Sequence, residues 1–191
     1  MAATEALILE RGVDGFSLRE VARRAGVSPA APAHHFGDTK GLLTEVAMRG
    51  YADFADALAA GDARGGDDPA KRLHEQGAAY VTFALKNPAR FALMFRPDKL
   101  DLSGDKLREV SRRSFLTLES AIRAATRTKP GAELSPDSFG FLIATWSVVH
   151  GFSHLALGGE FDFRGAEHGG REGILRYFLP LTLKHLPVPN S

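Results

Sequence analysis

The chain contains no cysteine, so disulfides and thiolate chemistry are both closed to it. That absence fits a reducing cytoplasm, the expected location. No uninterrupted apolar run approaches the ~18 residues of a membrane span. A basic segment followed by an apolar one, the mark of a secretory leader, is also missing at the start, and no membrane partner is expected. Charge of one sign is lacking as well. The formal net charge is +1, and residues 1 to 50 set six basic side chains (Arg11, Arg19, Arg23, Arg24, Lys40, Arg49) against six acidic ones (Glu5, Glu10, Asp14, Glu20, Asp38, Glu45). Bulk electrostatics therefore do not advertise a nucleic-acid binder. There is no nucleophile elbow, P-loop, His-Glu-x-x-His or dinucleotide fingerprint. Neither catalysis nor a cofactor nor a metal is expected.

What is present is a globular composition, 44% hydrophobic and 25% charged over 191 residues, enough for one or two domains with a sizeable core. The helical period runs almost throughout, without internal repeats or a strand pattern. The spacing predicts helices over 2–11, 39–60, 69–86, 88–95, 105–126, 137–157 and 171–186, with two short ones between Ser17 and Phe36. Glycine- and charge-rich composition predicts loops over 61–68 and 158–170. Pro180 is expected to kink the last helix. The sum is an all-α chain of nine helices, a three-helix head (1–45) and a six-helix body (46–191).

Residues 17 to 36, SLREVARRAGVSPAAPAHHF, carry the most information. Ser17 is placed as an N-cap with Glu20 completing a capping box, and Phe16 is placed to staple onto Val21. The helix ends at Gly26, the residue type that adopts a left-handed C′ conformation cheaply. Val27 alone separates this stop from a second start, with Ser28 as cap and Pro29 at the first helical position. Two capped helices around so tight a turn form a helix-turn-helix, whose second helix enters the DNA major groove.

Ala2 to Arg11, Gly12, Phe16-Ser17-Leu18-Arg19-Glu20-Val21-Ala22, Gly26-Val27-Ser28 and His35-Phe36 together resemble the DNA-binding domain of TetR-family transcriptional regulators over roughly the first 50 residues. Trp146-x-x-x-His150-Gly151, with Pro88-x-x-Phe91-x-x-Met94-Phe95, resembles a Trp-His-Gly subgroup of their C-terminal domains. The resemblance implies a nine-helix TetR-like fold and a DNA-binding regulator, a repressor by expectation. It also implies a homodimer through the last two helices, a palindromic operator, and release by a small apolar or amphipathic effector.

It places Arg19 at a position that reaches a base edge, where a guanidinium fork on guanine gives ~1–3 kcal/mol of discrimination. Ser17 and Ser28 suit phosphate oxygens. Pro29, Ala30 and Ala33 offer the groove only van der Waals contact, so sequence reading falls to Arg19, His34 and DNA shape. Thr39 and Lys40 stand where a phosphate-binding lysine usually opens the next helix. Three departures from the family pattern are expected to cost phosphate contacts: Ala33 and His34 where a tyrosine usually precedes the His-Phe pair, Lys40 one residue late, and a first helix without the several residues usual before Ala2, through an absent segment or a misassigned start.

In the body, Phe91, Met94, Phe95, Phe139 and Trp146 are candidate effector-lining residues, with His150 as hydrogen-bonding group. Two other readings of the histidine stand beside this one: a satisfied core residue, or a metal ligand with His154 at i, i+4. An effector that binds two states of the protein with different affinity would shift the helix over 39–60 and so the spacing of the paired heads. The rival functional reading is a helical protein-interaction module, or a ligand sensor, that has lost specific DNA binding.

Overall fold

A computed structural model describes residues 1–162, 167 and 170–185. All regular structure among them is helical: α1 (Ala2–Arg11), α2 (Leu18–Ala25), α3 (Ala31–Phe36), α4 (Thr39–Gly65), α5 (Pro69–Lys86), α6 (Pro88–Met94), α7 (Asp105–Ala125), α8 (Pro136–Leu157) and α9 (171–184). The predicted loop over 158–170 lies outside the described residues at 163–166 and 168–169, as does residue 186 of the last predicted helix. The chain divides into two compact units: residues 1–53 with 87–112, and residues 54–86 with 113–191.

The first unit is built from the head outward. Gly12 at φ 70° and Gly26 at φ 66° end α1 and α2 in conformations a side chain would resist. Leu7, Val21 and Leu42 form one buried cluster, with Phe16, Leu18 and Phe36 packed on it. A second cluster joins Ile8, Leu43, Val46 and Ala47 to Ala89, Leu93, Leu100 and Leu107, so α6 and the first turn of α7 share a core with the head. Each of the larger side chains (Val, Leu, Ile) contributes ~1.5–3 kcal/mol by leaving water. Polar ties reinforce this. Arg90 of α6 bonds Glu5 of α1 at 2.9 Å and Asp53 of α4 at 2.5 Å. Asp14 receives Lys99 at 2.5 Å and Arg96 at 3.2 Å. These partners hold the Asp14 carboxyl below its usual range.

In the second unit α5 packs on α8 and α9. Leu73, Ala121, Ile122, Phe141 and Leu142 form a buried cluster there. α4 runs on to Gly65, through the segment whose glycines predict a loop. A Cβ on Gly61 would meet the Glu75 carbonyl at 2.7 Å, and one on Gly65 the Arg72 backbone nitrogen at 2.5 Å. These glycines serve close helix approach, and composition alone cannot separate that use from a turn. Asp62 in the same stretch accepts from Arg72 at 2.8 and 2.9 Å and from Gln76 at 2.6 Å, tying α4 to α5.

Two helix starts behave as predicted, with Asp68 Oδ1 accepting from Ala70 and Lys71 and Ser135 Oγ from Ser138. α9 is interrupted rather than simply kinked. A π turn over Ile174–Phe178 precedes the α segment Leu179–Lys184, and Pro180 falls in the first turn of that segment. The wider turn absorbs the N–H that proline lacks and the clash of its ring. α8 is long and apolar enough to cross a membrane by length and composition, although no single run of apolar residues in it is. Its apolar residues are shared between the core (Phe141, Leu142, Val149, Phe152) and an exposed set (Phe139, Ile143, Val148, Leu155).

Candidate nucleic-acid interface

The helix-turn-helix differs in two respects from its predicted form. Ser17 sits at the N-cap of α2 with extended backbone, φ −143° and ψ 126°, yet its side chain makes no cap hydrogen bond. The capping box fails because Glu20 is taken by arginines. Arg23 donates to it at 2.9 and 2.7 Å and Arg24 at 3.0 Å. These bonds pull its carboxyl down to about 2. α3 opens two residues later than a Ser28 cap implies, with Ala30 as N-cap. The cause is Pro32, which has no N–H to offer the Ser28 carbonyl. Ala31 N–H takes that carbonyl instead, at 3.0 Å, and the chain turns before it coils. Ser28, Pro29 and Ala30 are thus turn residues, all exposed.

The three α2 arginines also part company. Arg24 is fixed between Glu20 and Glu10, with 2.7 and 2.6 Å bonds to the latter, and only 21% of its side chain is exposed. Arg23 keeps 72% exposure despite its bonds to Glu20. Arg19 is exposed and stands one helical turn from Arg23. Arg19, Arg23, Val27 and Pro29 line a hollow of about 600 Å³, open to solvent. The sequence places Arg19, Arg23 and Arg24 as a basic cluster on the helix that crosses the DNA backbone; the hollow that Arg19 and Arg23 share is seen only in the structure.

Ala33, His34 and His35 are exposed on α3, Lys40 is exposed and Thr39 half-buried at the start of α4. Asp38 caps α4, its Oδ1 accepting from Gly41 N–H at 2.8 Å. Gly41 itself lies so close to the Phe36 carbonyl that a Cβ there would collide with it, which sets the end of α3 on α4.

The six predicted effector-lining residues fall into two groups. In the first unit Phe91 and Met94 are buried and Phe95 half-buried. Tyr51 Oη donates to the Met94 carbonyl at 2.6 Å, and burial pushes the Tyr51 hydroxyl up to about 12. Met94 and Phe95 help line an open hollow of about 430 Å³, together with Tyr51, Leu100 and Leu107 among others.

In the second unit Trp146 and His150 meet at Tyr80, a buried residue of α5 that the sequence reading did not select. Trp146 Nε1 donates to Tyr80 Oη at 3.3 Å, and Tyr80 Oη lies 2.7 Å from His150 Nδ1. The tyrosine oxygen accepts from tryptophan, and its 2.7 Å bond to Nδ1 runs in the direction set by the imidazole tautomer. Burial, and then His154 with its ring centroid 4.6 Å away, holds the His150 value below the ordinary imidazole range. Phe139 stands on the exposed face of α8. Among the described residues no three or more His, Asp or Glu side chains gather as metal ligands.

Comparison with known proteins agrees with this geometry. Residues 73–171 match the family described as the tetracyclin repressor-like C-terminal domain, and residues 1–46 the one described as bacterial regulatory proteins, tetR family. No protein of curated function matches. A protein of unknown function from Rhodococcus sp. RHA1 is 27% identical, with a TM-score of 0.69 over 97% of this chain and 92% of that one. The fold is shared with a bacterial regulatory protein of the tetR family from Rhodococcus RHA1 (19% identity, TM-score 0.71, 99% of this chain and 95% of that one). It is shared too with the TetR family transcriptional regulator PfmR from Thermus thermophilus (20% identity, TM-score 0.69, 96% of each chain).

Fold and reading head thus define a DNA-binding regulator of the helix-turn-helix class. The chain belongs to the TetR family of transcriptional regulators.

Proposed function

We propose that the protein is a cytoplasmic repressor that binds a palindromic operator as a homodimer and leaves it when a small apolar or amphipathic molecule binds. The observation that carries this reading is the apolar surface on the last two helices. Phe139, Ile143, Val148 and Leu155 of α8 are exposed, as are Tyr177 and Leu181 of α9. Exposed apolar side chains so grouped on two helices are what an interface between copies requires. A symmetric dimer presents two reading heads and so calls for a two-fold symmetric site, its halves ~34–36 Å apart or a multiple of that.

Within each head, Arg19 and Arg23 around their hollow, the uncommitted Ser17 hydroxyl, Ser28 and Lys40 are the phosphate and base contacts we assign. Thr39 supports the start of α4 beside them. Pro29, Ala30, Ala33 and His34 face the groove. For the effector, Met94 and Phe95 lining the hollow with Tyr51 favour a ligand with an apolar ring or chain, and Phe91 backs that wall from the core. Trp146 and His150, held by Tyr80, form a second polar-aromatic cluster, and Phe139 joins the dimer surface.

Sedimentation of the purified protein, followed by selection of bound duplexes from random sequence, tests the reading. A dimer that recovers an inverted repeat supports it. A strict monomer, or no enrichment at low salt, overturns it in favour of an interaction module. One feature favours that rival: Arg24 and Arg11 lie against Glu20 within the head and are withdrawn from DNA.

A further inference from the structure

Four of the six cations in residues 1 to 50 have a carboxylate partner there. Arg24 is held by Glu10 and Glu20, Arg23 bonds Glu20 at 2.7 Å, Arg11 lies 4.0 Å from Glu20, and Arg49 bonds Glu45 at 3.0 Å. Arg19 and Lys40, with Arg23 where its 72% exposed side chain reaches outward, remain to meet a phosphate backbone. The reading helix contributes no permanent charge at all: α3 reads Ala-Pro-Ala-His-His-Phe. Its polar side chains are His34 and His35, both exposed, their rings edge to face at 5.6 Å. Among the described residues no hydrogen bond or ion pair engages either imidazole. The carboxylates on the elements next to α3 are committed elsewhere, Glu20 to Arg23 and Arg24, Glu10 to Arg24, and Asp38 to the Gly41 N–H. Arg19 and Arg23 of α2 and Lys40 of α4 are cations that oppose a further positive charge nearby. Among the described residues no acid pairs with either imidazole in the free protein, whereas the phosphates of a bound duplex supply partners.

We propose that His34 and His35 make DNA binding proton-linked, taking up protons as α3 enters the groove, so that affinity for duplex DNA rises on acidification. The proposal rests on the DNA-binding reading above. The sign follows from linkage. Where the bound state holds more protons than the free state, the association constant falls as pH rises. Imidazole is the side chain that ordinarily changes charge between about pH 5 and 8. One proton per head, hence two per dimer, gives up to ~100-fold in affinity per pH unit, and partial uptake still gives ~10-fold between about pH 6 and 8. Each imidazolium set on a phosphate also steepens the dependence of log affinity on log salt by ~1.

The test is fluorescence anisotropy at about pH 6 and 8 over a salt series. It uses two probes: a synthetic duplex of mixed sequence, and a duplex recovered from random sequence by selection. Wild type and the double variant His34→Gln/His35→Gln are compared, circular dichroism at both pH values confirming that the variant is folded. The expected result is wild-type binding ~10-fold tighter at the lower pH with a steeper salt slope. The double variant should be nearly flat in pH, whatever affinity it keeps at the higher value. Calorimetry of the wild type in buffers of different ionisation enthalpy should count protons taken up. A double variant that keeps the wild-type pH slope overturns the proposal, as does a wild type without one. Absence of binding to either probe at both pH values overturns the DNA-binding reading itself, a separate failure.

Discussion

Arg24 forks onto Glu10, Nη1 to Oε1 at 2.7 Å and Nη2 to Oε2 at 2.6 Å, and so joins α2 to α1. A bidentate, charge-assisted pair of this kind fixes orientation as well as distance. Three arginines of one helix therefore divide into a strut (Arg24) and two outward cations (Arg19, Arg23).

The division predicts opposite phenotypes for neighbouring residues. Arg24→Gln should lower the Tm and leave the salt slope of DNA binding unchanged. Arg23→Gln should leave the Tm within about a degree. It should weaken binding to specific and mixed-sequence duplexes alike, reducing the salt slope by ~1 per head. Arg19→Ala should instead relax preference at one base pair per half-site, a loss of ~1–3 kcal/mol in discrimination. Thermal melts and anisotropy on the three variants check this. An Arg24→Gln protein that melts like wild type but loses salt dependence would reverse the assignment.

Glycine spacing in α4 leads to a prediction against helix propensity. Alanine is favoured over glycine in a helix by ~1 kcal/mol, so Gly65→Ala judged on propensity alone should stabilise. Its Cβ would meet the Arg72 backbone nitrogen at 2.5 Å, and backbone cannot step aside as a flexible side chain can. Overpacking of this sort costs ~1–3 kcal/mol, and the Tm should fall by ~2–4 °C per kcal/mol in a chain of this size. A melt that moves upward would show that α4 and α5 are further apart at this point.

The same glycines show where a sequence can be read and where it cannot. Helix number and most boundaries follow from periodicity and caps, as at Asp68 and Ser135, because those signals are local. Gly61 and Gly65 mislead because their role is set by a partner helix whose position no local pattern encodes. Ser17 and Glu20 mislead for a related reason. The capping box is written in the sequence, but Arg23 and Arg24 compete for the same carboxylate and win with charge-assisted bonds. Of the candidate site residues, Arg19 and His34 are chosen from the resemblance to a helix-turn-helix, and both are exposed. Tyr80 is not, being one aromatic among many on a core helix until Trp146 and His150 are seen to converge on it.

That convergence carries a pH dependence of stability. In the fold, burial and His154 favour neutral His150, so its value lies below that of an unfolded imidazole, about 6.5. The unfolded chain then binds the proton first. The stability contributed by neutral His150 is fully present above about pH 6.5 and is lost as pH falls through the folded value. The Tm should drop below that pH in wild type, and less steeply in His150→Gln, measured by differential scanning fluorimetry across the range. The trend opposes the one inferred for DNA affinity, where acid strengthens binding, so the two histidine groups can be told apart in one protein. Equal acid slopes in wild type and variant would remove His150 from this role.

The exposed residues of α8 give the last prediction. Phe139 is 49% and Leu155 47% exposed, too open for a charge there to disturb the fold of a single chain. In a dimer through α8 and α9 each would be covered, with ~1.5–3 kcal/mol gained per fully buried side chain. A two-fold axis places every substitution in the interface twice, so its effect on association is doubled. Phe139→Glu/Leu155→Glu should therefore keep the helical circular dichroism of wild type while raising the dimer dissociation constant by ~100-fold or more. Operator affinity should fall in parallel, because one head alone spans one half-site. Sedimentation and anisotropy on the same samples distinguish the outcomes. A variant that stays dimeric would place the interface elsewhere, and one that turns monomeric yet binds the full operator with wild-type affinity would separate dimerisation from DNA recognition.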